Sequence, residues 1–293
     1  MGEQEIRNDV SVETKSVSQN TNELLSSASN LADQSNSALI SPGHKYDHIV
    51  VVIEENHGFG DKNGSDTGVI GNKEAPFINS LANDGRLFVD AHAVTHPSQP
   101  NYLALFSGST QGVTDNKKHS FNNVPNLATQ LENAGLSFTG YVEQGSPFKH
   151  NPWESFNDAQ HVETDLNNFP TDFNKLPTVS FVVPNLNDDM HDGTIGEADT
   201  WLKDNLGSYA QWAKSHNSLL IVMTDEDNGH EANRIPVVVY GDGVGPSEST
   251  QKINTVGVLH GIEKQYGLPF LGDKADAADL DPISPTVLPT LVA

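Results

Sequence analysis

Cysteine is absent from the 293-residue chain and basic residues are scarce: 16 Lys and Arg stand against 39 Asp and Glu, for a formal charge of −23. Without thiols there are no disulfides, no thiolate zinc or iron–sulfur centres and no thiol nucleophile. With so few cations the chain is a poor partner for nucleic acid or an anionic membrane surface, since both are bound by releasing counterions to Lys and Arg. No apolar run approaches the roughly twenty residues of a transmembrane helix, and the N-terminus has neither the basic nor the apolar region of a signal peptide. What stays open is chemistry carried by carboxylates and by the 12 His.

Residues 1–44 are rich in Ser, Asn, Gln and Glu with no sustained apolar face, and read as a disordered polar leader. A polar tract behind Met1-Gly2 is what a stalk on the mature form of an exported domain would look like, so an extracellular or cell-surface location is expected, with a cytoplasmic one left open. From about residue 45 the pattern becomes one of short β-branched runs alternating with helical segments, and residues 45–293 are expected to form a single α/β domain. His48–Ile53, Val179–Val183, Leu219–Met223 and Pro236–Tyr240 read as buried strands, with a further strand around Leu87–Val94. Helices are expected from Pro76 to a closing Gly85 in the left-handed region, over 126–133 with Gly135 beyond it, and from about Glu197 past Leu206.

In open α/β sheets ligands lie beyond the carboxyl ends of the strands, and polar clusters occupy those places here. Glu54-Glu55-Asn56-His57 follows the first strand, Asn185–Asp192 follows the Val179 strand, and Asp225-Glu226-Asp227-Asn228 follows the Leu219 strand. Taken singly, an Asp after a strand is a turn residue or a cap as readily as a ligand. Together, crowded carboxylates repel and resist ionisation unless a divalent cation holds them, which points to zinc, manganese or iron with imidazole, or calcium with oxygens alone. The Asp225 segment superficially resembles a calcium loop, but its Gly229 comes one place early and no Glu stands at the required distance.

Thr95-His96-Pro97-Ser98-Gln99-Pro100-Asn101-Tyr102 precedes a helix carrying Leu103, Leu105 and Phe106, with Pro100 suited to its first position. Ser98 then stands at the positive end of a helix, either as a simple cap or as a nucleophile poised beside a bound phosphate and a metal. No Gly-x-Ser-x-Gly elbow surrounds it and no Walker loop occurs in the chain, so hydrolase-triad and P-loop readings lose ground.

The order strand-Glu-Asn, Ser-x-Pro-Asn-Tyr, Pro-Asn-x-x-x-Asp-Met-His-Asp and Thr-Asp-Glu resembles the phosphoesterase family of the alkaline-phosphatase superfamily, which includes bacterial acid phosphatases and phospholipases C. The resemblance runs from Tyr46 to Pro269 and implies a three-layer sandwich with a mostly parallel central sheet and helices on both faces. Ser98–Tyr102 is also similar to the nucleophile segment of nucleotide pyrophosphatases/phosphodiesterases, which favours Ser98 over Thr95. Carried over by position, the resemblance implies one or two divalent metals. Glu55, Asn56, Asp225 and Glu226 would hold one beside Ser98, and Asp189 and His191 would serve a second or the substrate, with Asp188 and Asp192 close enough to be confused with them. Asn101 would touch a phosphate oxygen, and His96 would protonate the leaving alcohol, touch phosphate or simply face solvent.

One departure stands out. Where relatives carry a Thr-His-Tyr-Ser-like segment, this chain has Thr255-Val256-Gly257, leaving His260 and His230 as possible substitutes. The implied reaction is metal-assisted hydrolysis of a small phosphomonoester through a phosphoseryl intermediate, failing at low pH as the metal ligands protonate, with no protein partner expected. A phospholipase C-type phosphodiesterase would need an apolar rim, for which Phe121, Phe148 and Trp153 are the candidates. Sulfate esters are more remote, and a non-catalytic surface binding module on a decayed phosphatase fold is the reading from a different class.

Overall fold

Both faces of His48–Glu54 (β1) are apolar, and both are buried: Ile49, Val51 and Ile53 enter one core, Val50 and Val52 another. A strand covered on two sides must lie inside a sheet with a layer on each face. The computed structural model of the protein describes residues 46–60, 68–229 and 232–272; the polar leader 1–44 and His230 lie outside the described residues. The elements that follow β1 are α1 (Pro76–Asp84), β2 (Arg86–Phe88), β3 (Ala91–His92), α2 (Ser98–Ser107), α3 (Leu127–Asn133), β4 (Phe138–Val142) and β5 (Glu163–Asp165). Then come β6 (Val179–Val183), α4 (Ile195–Ala213), β7 (Ser218–Thr224), β8 (Val237–Gly241), β9 (Ser247–Ser249), β10 (Ile253–Asn254) and α5 (Thr255–Tyr266).

The main sheet has the order β5-β4-β6-β1-β7-β8-β2-β9, with β8 antiparallel to both neighbours and every other adjacent pair parallel. Residues of α2, α3 and α5 fill the core on one face, and residues of α1 and α4 the core on the other. The sheet is therefore the middle of three layers. Among the described residues no helix is long and apolar enough to cross a membrane.

Local chemistry explains the ends of the helices. The expected start of α4 at Glu197 falls short because Thr194 and Glu197 form a reciprocal capping box, so the helix begins at Ile195. Asp199 of α4 accepts from the backbone N–H groups of Phe77 and Ile78 at 2.9 and 2.7 Å, placing a carboxylate on the exposed donors of α1. Gly85 does end α1, but at φ −118°, in extended backbone. What requires glycine there is space, since a Cβ would lie 2.5 Å from the Val239 carbonyl oxygen and 2.7 Å from that of Leu81.

Three further expectations are corrected. The strand expected over Leu87–Val94 divides: β2 stays in the main sheet beside β8 and β9, whereas β3 pairs with β10 as the chain turns toward the sheet edge. Ser98, not Pro100, opens α2, and Pro100 takes its third position, where a missing N–H removes no intrahelical bond. Trp153, considered above as a rim aromatic, is fully buried with Phe106 and Phe138 around it.

Packing here leaves little slack. Trp153 lies on Gly140 of β4 so closely that a Cβ at that position would meet the indole at 2.3–2.6 Å. Gly140→Ala is expected to destabilise the fold by about 1–3 kcal/mol through overpacking, measured by denaturant unfolding; unchanged stability would show that the ring can move. Glu263 of α5 is also buried, accepts from Leu271 N–H at 3.0 Å, and has its carboxyl pushed up to about 9 by burial. Between the unfolded value near 4.5 and about 9 the folded chain holds a proton that the unfolded chain releases, so stability falls as pH rises through that window. Glu263→Gln should flatten this dependence and raise Tm at pH 8 by at least ~2 °C; identical slopes of Tm against pH for both proteins would refute the assignment.

Candidate active site

Parallel pairing of β1 with β7 sets Glu54 opposite Thr224, so the residues that follow, Glu55 and Asp225, leave the sheet side by side. Asp225 N–H donates to the Glu54 carbonyl at 3.0 Å, and Asn56 N–H donates to Asp225 Oδ1 at 3.2 Å. Asn56 sits at φ +45°, a left-handed conformation that Asn tolerates better than most side chains. On the other side of β1, the loop after β6 is tied in by Glu55 N–H donating to the Asp189 carbonyl at 2.7 Å. Ser98, the first residue of α2, faces this edge.

Ser98 Oγ lies 3.1 Å from Glu55 Oε2 and 2.9 Å from Glu226 Oε1. With its amide nitrogen turned inward, Asn56 donates to the same two oxygens at 3.0 and 3.1 Å. The other oxygen of Glu55, Oε1, accepts from the Tyr102 hydroxyl at 2.7 Å and lies 3.0 Å from His150 Nε2. His150 is stacked on Tyr102 with ring centroids 5.0 Å apart, and its Nδ1 is 3.4 Å from Asp189 Oδ2. Glu226 Oε2 is 2.6 Å from His96 Nδ1, and His96 Nε2 is 3.1 Å from Asp227 Oδ1.

The carboxylates respond to their crowding. Burial, then the charges of Glu55 and Glu226, push Asp225 well above the usual carboxylate range. Burial likewise raises Glu226 against the opposing pull of Ser98 and His96, and raises Asp189 against that of His150. Glu54, buried without a hydrogen-bond donor on either oxygen, is pushed well up by burial and then by Asp189. Burial opposes ionisation of Glu55 too, yet the charge and hydrogen bond of His150, the charge of Lys149 and the Tyr102 hydroxyl hold its carboxyl below the ordinary value.

Acceptors outnumber donors in this cluster. The hydroxyl of Ser98 has one proton for two carboxylates, and Asp225 Oδ2 and both Glu54 oxygens have no donor. Among the described residues no group of three or more His, Asp and Glu side chains is already arranged as a ligand set, and the Ser98 and Asn56 donors stand between Glu55 and Glu226. The donor chemistry nonetheless fits a hard divalent cation, since Glu55, Asp225 and Glu226 bring carboxylate oxygens with excess negative charge to one sheet edge.

Of the residues singled out in the sequence, Glu55, Asn56, Ser98, His96, Asp225 and Glu226 are brought together, and Asp189 joins through His150. His191 is at the margin: its ring centroid is 6.2 Å from that of His150, its N–H donates to Asp189 Oδ1, and its ring is 2.7 Å from Asp192. Asp188 accepts instead from the Asn185 amide. The expectation of a phosphate contact for Asn101 meets a different geometry. Its side chain is buried, with the amide oxygen accepting from Val94 and Thr95 N–H and the nitrogen donating to the Thr95 carbonyl, so it braces the loop that presents Ser98. Thr95 turns its hydroxyl to the His96 carbonyl rather than to the carboxylates.

His260 does not replace the imidazole missing near Thr255. It is 2.7 Å from the Leu271 carbonyl and stacks on Phe270 at 4.5 Å. The buried imidazole of the cluster is His150, which the sequence reading missed. Its signal was β4: recognised as a strand despite Gly140, the FTGYV segment would have marked the residues after it as belonging to the same sheet edge.

The sequence profile of the Phosphoesterase family matches residues 12–269. The chain is similar to a phosphatidylinositol-3-phosphatase of Mycobacterium tuberculosis, 43% identical over 252 residues that make up 80% of this chain and 82% of the relative. It is 31% identical over 227 residues to a probable acid phosphatase of Kluyveromyces lactis, covering 66% of this chain but only 54% of that longer protein. Among solved structures it resembles an alkaline phosphatase superfamily protein from Vibrio parahaemolyticus, with a TM-score of 0.55, 16% identity and coverage of 77% and 68% of the two chains. A phosphonate monoester hydrolase from Silicibacter pomeroyi gives a TM-score of 0.53 at 11% identity, covering 77% and 74%. With an alkaline-phosphatase-type fold and a profile match across nearly the whole described region, the chain belongs to the phosphoesterase family and is a phosphoric ester hydrolase.

Proposed function

We propose that the protein is a metal-assisted phosphomonoesterase that works through a phosphoseryl intermediate on Ser98. The observation that carries this reading is the position of Ser98 Oγ, within hydrogen-bond reach of two carboxylates from separate loops at the first residue of a helix. Glu226 Oε1 lies 2.9 Å from the Ser98 hydroxyl, within reach of its proton as Oγ attacks phosphorus. His96, about half exposed, is held through Nδ1 by Glu226 and through Nε2 by Asp227 and so braces Glu226 beside Ser98, while the leaving alcohol takes its proton from solvent. Water then cleaves the phosphoserine and Ser98 recovers its proton. The helix contributes its dipole more than free amides, because Gln99 N–H is taken by Asn116 Oδ1 and Pro100 has none.

A divalent cation held by Glu55, Asn56, Asp225 and Glu226 would supply Lewis-acid screening of the phosphate charge and favour the ionised Ser98. His150 fills the space between Glu55 and Asp189, which supports one ion at the centre rather than two. A phosphomonoester on a polyol accords with the name of the mycobacterial relative, and acid phosphatase activity with those of the fungal ones. The phosphodiesterase alternative loses Trp153 to the core and keeps only the half-buried Phe121 and Phe148 for an apolar rim. An extracytoplasmic location is part of the same reading, supported by the absence of cysteine and the polar N-terminal tract.

Turnover of p-nitrophenyl phosphate should require a divalent ion that a chelator removes and elemental analysis finds in the untreated protein. Ser98→Ala should lower kcat by at least about 10³-fold and abolish acid-stable phosphate labelling; labelling that persists, or turnover indifferent to both changes, defeats the proposal. A surface binding module would instead show no turnover while metal still raised Tm. His150→Ala removes the partner of a buried Glu55 carboxylate and should destabilise the protein by about 3–5 kcal/mol, read by denaturant unfolding, with metal content falling in parallel; wild-type stability and metal content would show that Tyr102 alone suffices.

A further inference from the structure

A concavity of about 260 Å³ has walls that include Lys118, His119, Phe148 and Ser155, with Glu154 as its carboxylate. Two connections through the chain link it to the neighbourhood of the proposed nucleophile. Asn116, two residues before Lys118, accepts from the N–H of Gln99, next to Ser98. Phe148 begins the short helical turn that ends at His150, which touches Glu55.

In a chain with 16 basic and 39 acidic residues, Lys117, Lys118, His119 and Lys149 gather in these two segments. Asp115 engages Lys117 at 3.2 Å and His119 at 2.7 Å. Lys118 and Lys149 form no ion pair among the described residues: the Lys118 ammonium lies 5.4 Å from the centre of the Phe148 ring, and the charge of Lys149 reaches Glu55 and His150. An unpaired Lys118 ammonium on the wall of a concave, partly aromatic surface, with Lys149 next in sequence to its Phe148, favours a bound anion, and Phe148 offers an apolar face to whatever carries it.

We propose that this pocket is a subsite for a second phosphate group borne by the alcohol half of the substrate, with Lys118 and Lys149 as its cations. The substrate class is then a phosphomonoester whose leaving alcohol is itself phosphorylated, in a soluble sugar or in a lipid headgroup. This inference rests on the phosphomonoesterase reading and names what that site selects.

The test compares kcat/KM for glucose 1,6-bisphosphate with that for glucose 6-phosphate, and for a dispersed short-chain phosphatidylinositol monophosphate with that for p-nitrophenyl phosphate. The wild-type protein should favour the doubly phosphorylated member of at least one pair by about fivefold, the scale of two exposed charge contacts, and lose this preference at high salt. Lys118→Gln with Lys149→Gln should bring that ratio to near one, and Lys118→Glu with Lys149→Glu should invert it. A ratio lost only for the sugar pair identifies a soluble ligand, and one lost only for the lipid pair identifies a headgroup. Ratios unchanged in both charge variants overturn the subsite while leaving the phosphatase reading intact. Were turnover absent altogether, calorimetric binding of glucose 1,6-bisphosphate to the protein and to the double variant decides the subsite alone: equal affinities overturn it, and weaker binding by the variant supports it.

Discussion

Negative charge confined at the carboxyl edge of one sheet is the constraint on which the rest depends. Register alone puts Glu55 and Asp225 next to each other, and the neighbouring loops add Glu226 and Asp189. In a buried setting such groups repel, resist ionisation and require donors or cations. The cluster meets that requirement unevenly. His150 and Tyr102 secure one oxygen of Glu55, Asn56 and Ser98 address the other, and Asp225 is left with an oxygen that no donor reaches. A serine hydroxyl shared between carboxylates is therefore part of the same electrostatic problem as the metal it is proposed to work beside.

The core serves this edge directly. Phe148–His150 is followed at once by the turn Pro152–Ser155, and Trp153 in that turn is locked between Gly140 below and Phe106 and Phe138 beside it. Trp153 Nε1–H also donates to Glu163 at 2.6 Å. A close-packed aromatic cluster transmits position with little slack, so packing beneath β4 fixes the imidazole that meets Glu55. On the opposite flank the buried amide of Asn101 holds the loop from Val94 to Pro97, which sets where Ser98 begins its helix.

Charge acts on two scales. Across the whole chain the excess of acid disfavours polyanionic partners at a distance, while Lys117, Lys118, His119 and Lys149 gather in two short segments that connect to the site. Long-range repulsion is screened by salt, whereas a local cluster selects by contact. The small number of basic residues makes their placement informative, because those without acidic partners are not needed to balance the fold.

Much of this molecule is written in short stretches of sequence. The runs HIVVVI, VSFVV and LLIVM form buried strands because every side chain in them is apolar, and the acids behind them fall at one edge because parallel strands end together. Ser98 was legible for the same reason, as a small polar residue just ahead of an apolar helix. Other features depend on groups far apart in the chain. Gly85 reads as a helix terminator, but the Val239 carbonyl is what excludes a side chain there; Asn101 reads as a phosphate contact, but the folded loop consumes its donors and acceptor. His150 lies in a polar stretch with no periodicity, and only the packing of Trp153 and the pairing of β4 with β6 carry it to Glu55. Local periodicity and composition determined the strands, the helices and the acidic edge, since those follow from neighbours in sequence. Which imidazole partners which carboxylate was decided by tertiary structure, because a buried charge takes whatever counter-charge the packing delivers within a few ångströms.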